Sequence, residues 1–137
     1  MKQEDIIVVT FNYRLGALGF LDWSYFNENF DYNNGLSDQI NVLKWVHLNI
    51  ESFGVDPENI TLMDQSAGSM SIMALMQMPE FDTYYHKVML LSGTLNCDTQ
   101  EIARLKAQHF SKLVTTYYSQ QSVAELTSLD LLTLMDT

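Results

Sequence analysis

The chain has 137 residues, 47% of them apolar, and a formal net charge of −10. That length and composition suit one domain with a real core and exclude a disordered tail. A surface so acidic repels phosphate backbones and argues against nucleic-acid binding.

Only one cysteine, Cys97, is present, so an intrachain disulfide or a thiolate metal cluster cannot form, which suits a reducing compartment. Residues 2–5 lead straight into an apolar run, without the charged-then-hydrophobic layout of a targeting segment. No apolar run approaches the roughly 20 residues that cross a bilayer. The expected setting is therefore the cytoplasm, with no membrane association. His47, His86 and His109 lack metal-ligand spacing and read as helix or loop surface.

Residues 6–11 (Ile-Ile-Val-Val-Thr-Phe) form a continuous β-branched run without alternation. Such a run predicts a strand buried on both faces, as in a parallel sheet covered by helices. Asn12 to Gly16 turn out of the sheet, and Gly19-Phe20-Leu21 continue as a packed loop. Asp22 to Asn34 are aromatic and Asn-rich with no period, a surface loop. Leu36, Ile40, Leu43, Val46 or His47, and Ile50 recur at helical spacing and predict a helix over 36–52. Phe53-Gly54 stops it, and Asp56-Pro57 prevents its resumption.

Residues 60–63 read as a short buried strand, 64–68 as a sharp turn, and 68–78 as a Met-rich helix ended by Pro79. Residues 87–91 form the third strand, closed by Ser92-Gly93. Asp98 with Glu101 reads as a capping box for a helix over 99–117. Its inward face is Ile102, Leu105, Phe110, Leu113, Val114 and Tyr117. Gln120 and Gln121 break that helix, and Ser128 caps a last short one with Leu131, Leu132 and Met135 apolar. Strand and helix alternate as in a parallel α/β sheet, whose working site lies at the carboxyl ends of the strands. Ser66 and Ser92 both fall there.

A strand, a tight turn holding a serine among small residues, and a helix make up the setting of a nucleophilic serine. Ser66 would attack an acyl carbon. The N–H of Ala67, at a helix N-terminus whose dipole favours negative charge, would help hold the oxyanion. The usual turn reads Gly-x-Ser-x-Gly; here Asp64 takes the first glycine's place, and only Ser66-Ala67-Gly68 is intact.

Longer stretches then carry a resemblance. They are Val8-Val9-Thr10-Phe11-Asn12-Tyr13-Arg14-Leu15-Gly16, Asn34-Gly35-Leu36-Ser37-Asp38-Gln39, Leu43-Lys44-Trp45-Val46, Asn59-Ile60-Thr61, Ser66-Ala67-Gly68 and Leu91-Ser92-Gly93. Together they resemble the type B carboxylesterases of the α/β-hydrolase class, and Met70-Ser71-Ile72 with Met78-Pro79 look most like the bacterial para-nitrobenzyl esterases. The resemblance implies a partial α/β-hydrolase fold, with residues 1–137 as a single partial domain. It implies a small carboxylic ester as substrate and acyl transfer on protein groups alone, with no metal or organic cofactor. Ser66 matches the nucleophile and Ala67 an oxyanion donor. Arg14 and Asp38 match a buried structural ion pair, whose one-sided loss would cost about 3–5 kcal/mol. Ser92 matches a serine near the catalytic group, or is an ordinary strand-end residue. At positions 64 and 65 the family has Gly and usually an acidic residue, where this chain has Asp64 and Gln65.

By the same resemblance, the glycine-rich oxyanion loop and the catalytic acid and histidine lie in segments that this chain does not contain, so its partners would include the rest of the fold. The chain's own histidines are poorly placed to substitute. His86 precedes strand 87–91, at the far end of a parallel sheet from Ser66. His47 is past the middle of a helix running away from the site. His109 is roughly 16 Å along its helix. The readings that follow are an esterase segment inactive by itself, a non-catalytic esterase-like interaction module or truncated remnant, and a chain without a stable fold of its own.

Overall fold

The computed structural model of the chain describes residues 6–117 and Val123. In chain order the elements are α1 (Gly16–Phe20), a 3-10 turn (Trp23–Tyr25), α2 (Asn34–Asn49), a 3-10 turn (Ile50–Phe53), β1 (Thr61–Gln65), α3 (Ala67–Leu75), a 3-10 turn (Pro79–Tyr84), β2 (Lys87–Leu91) and α4 (Gln100–Tyr117). They fall into two compact units. One comprises the residues up to Arg14 with Gly35–Cys97; the other comprises Leu15–Asn34 and the residues from Asp98 on.

The first unit is built on a parallel pair of strands, β1 and β2, in register from Thr61 opposite Lys87 to Gln65 opposite Leu91. β1 thus continues two residues past the apolar run, because Asp64 and Gln65 pair in the ladder despite their polarity. Side chains alternate across the pleat, leaving Leu62 and Val88 half-buried while Met63 is 61% and Met89 50% exposed. These strands are therefore not buried on both faces.

Residues 6–11 correct the expectation more strongly. They form no ladder, and Ile6 and Val8 stand 78% and 75% exposed. A strand exists only through a neighbour's N–H and C=O groups, and among the described residues β1 and β2 are bonded only to each other.

α2 buries Leu36, Gln39, Leu43 and Val46, close to the expected stripe. Its last predicted turn tightens into the 3-10 turn at Ile50–Phe53. Gly54, at φ 81°, then ends the run, its N–H donating to the Glu51 carbonyl at 2.9 Å. α3 stops at Leu75 rather than residue 78. The N–H groups of Gln77 and Met78 reach back only three residues, to Ala74 and Leu75. Pro79 disfavours a helical conformation at Met78, which lies at φ −117°, ψ 85°.

In the second unit, the segment expected as a surface loop supplies the core. Trp23 is buried with Val114 and Val123 against Leu18, Leu21, Phe26 and Phe110. Its indole N–H donates to the Ala17 carbonyl at 2.9 Å, and its ring meets that of Phe110 edge-on at 5.8 Å. Gly19-Phe20-Leu21, read as loop, lie in and just after α1.

α4 faces inward through Ala107, Phe110 and Val114, while Ile102, Leu105 and Leu113 are exposed. Its cap is Thr99, whose Oγ1 accepts from the Ile102 N–H at 3.3 Å; Asp98 pairs instead with Lys106. The predicted break at Gln120 and Gln121 and the last short helix lie outside the described residues. No described helix is long and apolar enough to cross a membrane.

Candidate active site

β1 ends at Gln65 and α3 begins at Ala67. Ser66 alone makes the connection, at φ 54° and ψ −117°. A side chain in that region of backbone space costs about 1–3 kcal/mol and persists only where the surroundings impose it. They do so here: the Ser66 N–H donates to the Leu91 carbonyl at 2.8 Å, extending the ladder by one bond, and the Ser66 carbonyl accepts from the Met70 N–H at 3.1 Å. The expected turn over 64–68 is thereby compressed to one residue, with the Ser66 side chain exposed at the carboxyl end of β1.

Ala67 is the first residue of α3, so its N–H has no acceptor within the helix. An anion held there would also meet the positive end of the helix dipole. Gly68 is buried, and a Cβ there would overlap the Asp64 carboxylate. Asp64 therefore lies against the first turn of α3, and its Oδ1 accepts from the Gln65 N–H at 2.7 Å. The chain accommodates the Asp64 carboxylate here because residue 68 offers no side chain.

Ser92 follows β2 directly and is exposed, with φ 55°. With Asn33 and Ser66 it is one of three non-glycine residues at positive φ among those described. The ends of both strands therefore turn sharply at a serine, and the structure brings Ser66 and the Leu91–Gly93 segment together.

Two functional-site features escaped the sequence reading. Ser69 is fully buried, and its hydroxyl bonds the ends of both strands. Gln39 and Ser71, each under a tenth exposed, form a buried polar contact from α2 to α3 at 3.3 Å. The available signal was the pair of serines in an otherwise Met-rich helix.

Arg14 and Asp38 pair as expected, through Nη2 to Oδ1 at 2.6 Å and Nε to Oδ2 at 2.8 Å, and the Arg14 backbone N–H also reaches Oδ2 at 3.0 Å. Their setting differs from expectation. The side chains are 50% and 25% exposed, so the pair is not buried and water screens it. The Arg14 side-chain hydrogen bonds hold the Asp38 carboxyl below its ordinary range, against a smaller opposing effect of burial. A carboxyl whose folded pKa is depressed adds stability above its unfolded pKa and loses it as pH falls through the folded value. Asp38→Asn is expected to cost only about 0.5–1 kcal/mol at neutral pH. The gap to the parent should close on acidification below pH ~4. Thermal unfolding of both proteins across pH checks this; a gap that persists at acid pH refutes it.

None of the histidines is shown beside Ser66. His86 lies at the opposite end of the ladder, its Nδ1 accepting from the Ile60 N–H at 3.3 Å and its Nε2 3.3 Å from Glu58. His47, on α2, meets the Tyr84 ring edge-on at 5.4 Å. His109 lies in α4, in the other unit.

The profile of the Carboxylesterase family matches residues 1–135. The para-nitrobenzyl esterase of Bacillus subtilis is 46% identical over 112 residues, covering 82% of this chain and 23% of that protein. The acetylcholinesterase of Myxine glutinosa is 44% identical over 95 residues, covering 69% and 28%. A solved structure of a PNB esterase superposes with a TM-score of 0.78 at 41% identity, over 92% of this chain and 27% of that one. The chain thus has a partial α/β-hydrolase fold and spans about a quarter of the length of the relatives it matches.

Proposed function

Because this chain belongs to the carboxylesterase family, we propose that it is the nucleophile-bearing segment of one α/β-hydrolase domain, acting on small carboxylic esters through an acyl-serine intermediate. The observation that carries this reading is the backbone of Ser66. A serine is held at positive φ between a strand and a helix, with its side chain in solvent and a free helix N-terminus beside it.

In the reaction, the Ser66 Oγ attacks the ester carbonyl carbon and loses its proton to a base. The carbonyl oxygen becomes an oxyanion, which the Ala67 N–H and the α3 dipole stabilise. Collapse expels the alcohol and leaves an ester on Ser66, which water then hydrolyses. The hydroxyl needs that base near neutral pH, and His86 is at the wrong end of the sheet. The base, its acid partner and the rest of the oxyanion site come from other segments of the fold, so the chain alone is inactive.

Asp64 favours a second reading, a non-catalytic esterase-like module. Its carboxylate, two residues from Ser66, opposes charge on a tetrahedral intermediate. The test is p-nitrophenyl acetate hydrolysis by the chain assembled with the remaining segments of a para-nitrobenzyl esterase, with and without Asp64→Gly. Turnover by the parent assembly, raised about tenfold by Asp64→Gly, supports a segment whose charge hinders it. A soluble assembly inert in both forms refutes the esterase reading.

A further inference from the structure

We propose that Ser69 is a positioning residue: its buried hydroxyl fixes the backbone of the Ser66 turn by tying the end of β1 to the end of β2. For its catalytic consequence, the inference rests on reading Ser66 as the nucleophile.

Ser69 is in the first turn of α3, yet its hydroxyl bonds outside the helix. Its Oγ accepts from the Leu91 N–H at 2.9 Å and donates to the Asp64 carbonyl, and the Leu91 carbonyl lies 3.2 Å away as an alternative acceptor. That Leu91 carbonyl also receives the Ser66 N–H at 2.8 Å. Leu91 is thus held through both its backbone groups, by the residue that makes the turn and by the residue three positions on. Asp64, two residues before the turn, is held by the same hydroxyl.

Ser71 supplies the contrast within the same helix. It makes the ordinary bond of a helical serine, back to the carbonyl four residues earlier, Ala67, at 3.3 Å. Ser69 has no freedom to do likewise. It is fully buried, and Gly93 presses so closely on it that a Cβ at 93 would overlap the Ser69 Cβ. Without the hydroxyl, the Leu91 N–H and the Asp64 carbonyl lose this partner in a partly buried setting, where an unmet backbone group is costly. The positive φ of Ser66 depends on those same surroundings.

Amide hydrogen exchange on the chain itself tests this. In the parent, the Ser66 and Leu91 amides should be protected. Ser69→Ala should speed both by about tenfold, the effect of one lost hydrogen bond. Amides in the middle of α2 should stay at the parent rate, and Ser71→Ala should leave Ser66 and Leu91 unchanged. Once the chain is completed with the missing segments, Ser69→Ala should lower kcat by about tenfold and leave KM unchanged, because a misaligned nucleophile weakens the transition state and not the complex.

Unprotected Ser66 and Leu91 amides in the parent would overturn the proposal without any variant. So would unchanged exchange in Ser69→Ala, or uniform acceleration along the chain, which marks a general packing role. Faster local exchange with kcat intact would also overturn it. If the completed parent shows no ester turnover, the esterase reading fails, and the exchange results alone decide the role of Ser69.

Discussion

On the mechanism proposed above, Ser66→Ala in the completed assembly is expected to lower ester turnover by on the order of 10^4-fold or more, because Ser66 is there the acyl acceptor. Ser66→Gly should lose activity to the same extent and yet melt a few degrees higher. The turn residue sits at φ 54°, ψ −117°, where glycine avoids a cost of about 1–3 kcal/mol. Alanine keeps the Cβ and so keeps the strain, and its melting temperature should stay near the parent's. Burst kinetics with p-nitrophenyl acetate and thermal unfolding of the three proteins together check both halves. A glycine variant less stable than the parent would show that the turn is not strained. Retained turnover in the alanine variant would move the nucleophile elsewhere.

Gly93→Ala is expected to be more destabilising than Gly54→Ala. The new Cβ would overlap the Ser69 Cβ and lie 3.3 Å from the Ser69 carbonyl carbon and 3.4 Å from the Met70 nitrogen. Two of these three atoms are backbone in the first turn of α3, so no rotamer change relieves the contact. Overpacking of this kind costs about 1–3 kcal/mol, and the displaced atoms belong to the helix that follows Ser66 directly. Gly54→Ala is the internal comparison. A Cβ there meets nothing within 4 Å and adds only the penalty of positive φ. Urea unfolding should rank the pair with Gly93→Ala lower; the reverse order would remove the tight contact from the argument.

The parts of the fold fixed by local pattern were legible before the structure. Residues 87–91 form the strand expected of their apolar run, Val88 to Leu91. The α2 stripe and its glycine stop fall within a residue or two of expectation. The serine turn was legible because Ser66-Ala67-Gly68 stands between a strand pattern and a helix pattern.

What pattern could not supply was pairing. Residues 6–11 have the composition of a buried strand, but composition does not provide the neighbour that makes one. Asp64 and Gln65 lack that composition and are strand, because β2 lies alongside them. Trp23 looked like loop because a three-residue 3-10 turn is too short to show a period, though it buries the largest side chain in its unit's core. Ser69 was hidden for another reason. Its identity is unremarkable in a helix, and only its position over Leu91 separates it from Ser71.

The open parallel pair also bears on how the molecule behaves in bulk solution. Each strand is bonded on one side only among the described residues, and Met63 and Met89 stand in water beside those edges. Such an edge is a template for another chain. The formal charge of −10 opposes that encounter. The repulsion reaches about 30 Å in 0.01 M salt but only about 8 Å at physiological ionic strength. Salt concentration therefore governs how long the chain stays dispersed.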